Sequence, residues 1–156
     1  MSGPLPGLAW RCEPFALLSL HELYALLALR QRVFVVEQAC AFQDADGWDQ
    51  AGWHLLGVDP AGALLAYARL LPPTTKYREP SVGRVITAPE VRRAGLGRAL
   101  MHEALRVVGR AWPGPVRLGA QVHLERFYRQ LGFVPDGAPY DEDGIPHIEM
   151  LRRGEG

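Results

Sequence analysis

Residues 92–97 read Arg-Arg-Ala-Gly-Leu-Gly, directly ahead of a long helical pattern. Glycines let backbone amides approach an anion closely, and a helix N-terminus adds partial positive charge, so this turn has the chemistry to hold a pyrophosphate. A plain structural turn is the competing reading of two glycines before a helix. Arg92, Arg93, Arg98, Arg106 and Arg110 cluster around the motif with Glu103 among them, which favours an anionic ligand. Residues 33–68, by contrast, contain no Lys or Arg but carry Glu37, Asp44, Asp46, Asp49 and Asp59, a stretch suited to a cationic group. Either charge run could equally be a solvated face.

These residues need elements to position them. Ser19-Leu20-His21-Glu22 has capping-box spacing, and apolar residues then recur with helical period to about Val36. Residues 38–52, rich in Asp, Gly and Gln, read as a long loop, a class that is usually functional or mobile. Apolar runs at 53–58 and 63–71 flank Asp59-Pro60-Ala61-Gly62, which predicts a hairpin. A β-branched run at 82–87 predicts a buried strand, and residues 95–112 an amphipathic helix ending before Pro113-Gly114-Pro115. A strand at 116–121, a helix at 123–131 capped by Gly132, and strands near 138–142 and 145–151 joined at Asp143-Gly144 complete the chain. The first dozen residues, with their prolines and glycines, are expected to be flexible.

Composition bounds the function. With 156 residues and 48% hydrophobic content, the chain fits a single domain with one core. Seventeen basic residues balance seventeen acidic ones, so a dedicated nucleic-acid binder is not expected. Without a signal-like N-terminus or an apolar run of about 18 residues, the expectation is a soluble cytoplasmic protein with no membrane partner. Cys12 and Cys40 read as reduced thiols. The His21-Glu22 and His102-Glu103 strings lack a second ligand four residues on, and the 44–49 loop lacks the Gly and Glu of a calcium loop, so no metal is expected.

The Arg92, Gly95 and Gly97 pattern resembles the Arg/Gln-x-x-Gly-x-Gly/Ala turn of the GNAT acetyltransferase superfamily. Phe127-Tyr128-Arg129-Gln130-Leu131-Gly132-Phe133 looks like that superfamily's second conserved segment, at the expected distance. More closely, the chain resembles the ElaA family of GNAT proteins through Val33-Phe34-Val35-Val36-Glu37-Gln38, Gln43-Asp44-Ala45-Asp46-Gly47, Ala66-Tyr67-Ala68-Arg69, Gly83-Arg84-Val85-Ile86, Leu118-Gly119-Ala120-Gln121 and Glu142-Asp143-Gly144-Ile145-Pro146-His147.

The resemblance implies an α/β (α+β) three-layer GNAT-like fold: a mixed, mostly antiparallel twisted sheet of about six or seven strands flanked by helices. It further implies acetyl-CoA, or another acyl-CoA, as co-substrate, set where the 82–87 and 116–121 strands splay apart. Backbone groups of Val85, Ile86 and Thr87 would bind the pantetheine arm as an added strand, and amides of Arg93, Ala94, Gly95, Leu96, Gly97 and Arg98, after Arg92, would hold the pyrophosphate. Gln121 stands where many relatives have Asn. The implied activity is acetyl transfer to a primary amine, of a small molecule or peptide, by direct attack in a ternary complex; a homodimer is compatible with this.

Such a reaction needs a neutral amine, a stabilised oxyanion and a proton for the departing thiolate. Tyr128 matches the superfamily's Tyr near the coenzyme sulfur and is the candidate acid, against a purely packing role. The 83–87 strand lacks the Glu that many relatives use as base, which leaves Glu37, His147 or a water relay, with His54 and His123 as weaker candidates. Asp44, Asp46 and Asp49 either attract a protonated amine or stabilise their loop locally; substrate recognition is the preferred expectation, with His54 beside them. Two alternatives rank behind. Residues 30–38, 44–49 and 68–72 also resemble acyl-homoserine-lactone synthases, although the chain is short for these and lacks their middle-strand Glu. A non-catalytic acyl-CoA sensor is the other, supported by the missing strand Glu.

Overall fold

In the computed structural model, which describes residues 5–154, Ser19 opens the first helix by a reciprocal pair of bonds. Its Oγ accepts from the Glu22 amide (3.0 Å), and the Glu22 carboxylate accepts from the Ser19 amide (2.8 Å). Helix α1 (Leu20–Arg30) runs without a break into a wider π-helical stretch, Gln31–Glu37. There the amides of Gln38 and Cys40 reach back five residues, to the carbonyls of Val33 and Val35 (3.2 and 3.1 Å). A π turn shifts the phase of everything after it, and here Val33, Phe34 and Glu37 share one cleft-facing surface. The sequence predicted the helix to about Val36 but not its change of winding.

Eight strands form one sheet: β1 (Ala9–Pro14), β2 (Trp53–Val58), β3 (Leu64–Leu71), β4 (Ser81–Thr87), β5 (Val116–Gln121), β6 (Val134–Pro135), β7 (Tyr140–Glu142) and β8 (Ile145–Arg152). The order is β1-β2-β3-β4-β5-β8-β6, with β7 also on β8, and every pairing except β4–β5 is antiparallel. The mixed, mostly antiparallel architecture is as expected; the strand count exceeds six or seven because β6 and the edge strand β1 carry no strong alternation. Residues 1–4 lie outside the described residues. From Ala9, however, the segment expected to be flexible is pinned to β2, Trp10 opposite Gly57 and Cys12 opposite Leu55.

Register sorts the two faces. Trp10, Cys12, Trp53 and Leu55 lie against α2 (Leu96–Ala111), whose Leu100, Met101, Ala104 and Val108 are buried. On the opposite face Tyr67 and Arg69 meet the end of α1, with the Arg30 guanidinium 5.9 Å from the Tyr67 ring centroid. With helices on both sides, β3 is buried along nearly its whole length, which suits its apolar run. A short helix, α3 (Glu125–Arg129), follows β5 after a 3-10 turn at Val122–Leu124, so the helix expected over 123–131 is partly of tighter winding.

Candidate active site

The parallel strands β4 and β5 touch at one register point, Ser81 with Arg117, and diverge beyond it. On its other side β4 steps from Gly83 to Ile86 while β3 steps only from Tyr67 to Arg69, so one extra residue is accommodated in a bulge. Arg84 takes the left-handed conformation there, φ 51°. The bulge bends β4, and Val85, Ile86 and Thr87 beyond it line the cleft between β4 and β5.

The resulting cleft has a volume of about 450 Å³. At one end stands the Arg92–Gly97 turn. Arg93 and Gly95 both have positive φ (71° and 77°), and Gly95 caps α2 with no side chain bonding its first amides. Those amides are therefore available to an anion. Arg92 and Gly97 line the cleft itself. The Leu96 side chain belongs to the core, so only its backbone can serve a ligand, and the Arg98 guanidinium is held by Gln130 (2.6 Å) against Phe127. The five arginines clustered in sequence do not act together. Arg106 and Arg110 lie along α2 beside a separate groove with Trp10 and Trp53.

Tyr128 on α3 lines the same cleft, buried at 6% exposure between Phe127 and Phe133. Burial pushes its phenol up to about 12, and it has no hydrogen-bond partner among the described residues. It stays protonated and uncommitted near neutral pH. Gln121 also faces the cleft, its amide 3.3 Å from the Gln38 carbonyl oxygen.

Glu37 and His147 both line the cleft, in different states of commitment. The Glu37 carboxylate is paired with Arg92, Oε1 to Nη2 2.6 Å. His147 Nδ1 lies 2.7 Å from the Ile145 carbonyl, which only accepts, so Nδ1 donates its proton there. Nε2 is 3.3 Å from the Glu142 carboxylate. The imidazole also stacks on Tyr140, centroids 5.9 Å apart.

Of the residues expected to contact the acceptor, Asp44 and His54 do not line the cleft, and Asp46 borders a side chamber next to it. Asp44, Asp46 and Asp49 are tied into a cluster with Arg30, Arg69 and Arg84. Arg30 binds Asp44 and Asp49 (both 2.7 Å), Arg69 binds Asp46 and Asp49 (2.8 and 2.9 Å), and Arg84 binds Asp44 (2.8 Å) and Asp46 (3.2 Å). Burial alone would raise Asp46 and Asp49. The hydrogen bond and charge of Arg69 overcome it at Asp46 and hold that carboxyl well below the usual range; at Asp49 those of Arg30, then Arg69, lower the pKa. The cluster is charge-balanced, so the acidic run presents no net attraction to an amine. Asp44 is buried within it; Asp46 alone reaches a side chamber of about 250 Å³ next to the cleft. His54 is fully buried. Its Nε2–H donates to the Asp49 carbonyl (2.9 Å) and its Nδ1 accepts from the Tyr67 hydroxyl (2.7 Å). Desolvation lowers its pKa, and it is a structural histidine of the neutral form. His123 does line the cleft.

Arg84, Lys76, Tyr77, Tyr140 and Glu142 also line the cleft; none is a candidate site residue in the sequence, although Arg84 and Glu142 stand in segments that carry the family resemblance. One signal for Tyr140 was present: Gly119 opposite it, where a Cβ would come within 2.9 Å of the Tyr140 hydroxyl. No group of His, Cys, Asp and Glu able to hold a metal occurs among the described residues. No helix among them is long and apolar enough to cross a membrane.

Residues 35–153 match the family model described as an acetyltransferase (GNAT) domain. The ElaA protein of Escherichia coli is 45% identical over 146 residues, covering 92% of this chain and 95% of that protein. A UPF0039 protein of Synechocystis is 44% identical over 145 residues, covering 92% and 94%. Among solved structures, an acyl-CoA N-acyltransferase from Pseudomonas aeruginosa superposes with a TM-score of 0.88 at 47% identity, over 93% of this chain and 99% of that one. The E. coli ElaA structure superposes at 0.86 and 43% identity, over 93% and 99%.

Proposed function

Because this chain belongs to the GNAT acetyltransferases, within the ElaA/UPF0039 family, we propose that it transfers an acetyl group from acetyl-CoA to a primary amine by direct attack in a ternary complex. The observation that carries this reading is the splay of β4 from β5 beside the uncapped N-terminus of α2. One flank offers strand backbone to the pantetheine amides, the other free amides to the pyrophosphate, and the thioester would lie between them near Tyr128.

In this mechanism the coenzyme supplies the activated acyl group, and the protein's residues position it and move protons. His147 accepts the proton of the attacking amine at Nε2, with Glu142 stabilising the charge that develops. Tyr128, neutral and unpartnered, donates to the departing thiolate. Glu37 serves instead as the partner of Arg92, a phosphate-side residue. The acceptor approaches through the side chamber, which shares Gln38, Arg84, Gln121, Glu142 and His147 with the main cleft.

Thiol release from acetyl-CoA against a panel of amines, for the wild type, Tyr128→Phe and Gly95→Glu, tests the proposal. Turnover that both variants lose supports it; tight acetyl-CoA binding without turnover for any amine would favour the sensor.

A further inference from the structure

Lys76 is the one lysine in the 156-residue sequence, and it lines the cleft. Its loop is anchored on both sides. The Thr74 amide donates to the Arg78 carbonyl across it (3.1 Å), Glu79 binds the Arg117 guanidinium (3.0 Å), and the Pro80 carbonyl accepts from the Arg117 amide (3.0 Å). Lys76 sits exposed at the centre of the segment bracketed by Thr74 and Arg78, and its side chain borders the cleft.

The side chain forms no ion pair among the described residues, and Nζ lies 5.6 Å from the Tyr77 ring centroid. Lys76 lines both the cleft and the side chamber, as Gln121, Glu142 and His147 do. That junction is where an acceptor amine must stand to meet an acyl group held between β4 and β5. Partial desolvation and the charge of Arg69 lower the pKa of Lys76, with Glu142 acting in the opposite sense.

Resting on the acyl-CoA reading above, we propose that Lys76 is itself an acyl acceptor, modified by the protein's own cleft. The Nζ lone pair attacks the thioester carbonyl carbon; the C–N bond forms and the C–S bond breaks. The coenzyme leaves as thiolate, and the proton lost from nitrogen neutralises it. The products are an N-ε-acyl lysine at position 76 and free coenzyme thiol.

The test incubates the full chain with acetyl-CoA, follows intact mass, and maps the site by trypsin, which leaves residues 70–78 uncut at an acetylated Lys76. Acetyl-CoA binding is measured in parallel by calorimetry. The expected result is one acetyl group on Lys76, half-saturating near the calorimetric Kd, absent from that peptide in Lys76→Arg and about tenfold slower in Gly95→Glu. An unmodified Lys76 in a protein that binds acetyl-CoA and acetylates small amines would overturn the proposal alone. So would equal modification in Gly95→Glu and in heat-denatured protein, since that is uncatalysed chemistry. Failure to bind acetyl-CoA at all would remove the underlying reading, and this proposal with it.

Discussion

Glu37, at the end of the π-helical stretch, and Arg92, at the start of the α2 turn, are joined across the cleft by a 2.6 Å ion pair. The contact ties the helical wall to the phosphate end, and it occupies the guanidinium that a pyrophosphate would also seek. Both side chains are part-exposed, so the pair itself is worth little, about 0.2–1 kcal/mol. Glu37→Gln should free Arg92 and tighten acetyl-CoA binding by up to about fivefold, read by calorimetry. If kcat falls by orders of magnitude in the same variant, Glu37 is the base and His147 is not.

His147 should carry the larger kinetic effect. His147→Gln is expected to lower kcat by about 10²-fold while the Kd for acetyl-CoA stays unchanged. Glu142→Gln should lower it less, because it removes only the group stabilising the imidazolium. Steady-state kinetics with a fixed amine separate the two.

Tyr128→Phe should cut kcat by about 10²-fold and leave acetyl-CoA affinity intact. Burial holds the phenol up at about 12, and its protonated form predominates below that value. No alkaline loss of kcat should therefore arise from Tyr128 in a profile run to about pH 10. A wild-type fall near neutral pH that disappears in Tyr128→Phe would contradict this.

The buried ion cluster should govern acid stability. Asp46 and Asp49 have depressed pKa values in the folded state, so their contribution is full above the unfolded carboxylate value, about 4, and is lost as pH falls through the lower folded values. Thermal melts should be flat from neutral pH to about 5 and then drop. Asp49→Asn should cost about 3 kcal/mol in urea unfolding at pH 7, since it weakens two guanidinium contacts at once, and should flatten the acid slope. An unchanged slope would mean that other carboxylates dominate.

Where the sequence was legible, the signal was local. The Ser19 cap, the Asp59–Gly62 and Asp143-Gly144 turns and the strand–turn–helix around Gly95 are each written within a few residues, and each forms as read. What needed the tertiary structure was charge compensation. Residues 33–68 look uniformly acidic, yet Arg30 and Arg69, just outside that window, and the distant Arg84 fold back onto its aspartates. His54 looked available for the same reason; nothing in its neighbourhood announces that Tyr67 and the Asp49 carbonyl consume both ring nitrogens. Lys76 and Tyr140 reach the cleft through register and loop anchoring, which no short motif encodes.

Strand β8 is inserted between β5 and the short strands β6 and β7, and it carries His147. During synthesis the cofactor turn and Tyr128 therefore emerge well before the sheet can close or the proposed base exists. A nascent chain still lacking Ile145–Arg152 has its acyl-binding half without the residue that would use it, and β5 presents a bare edge. Bare edges recruit other strands, so a chain lacking β8 should aggregate more readily than one that has it. The proposed transfer therefore requires Ile145–Arg152 to have joined the sheet.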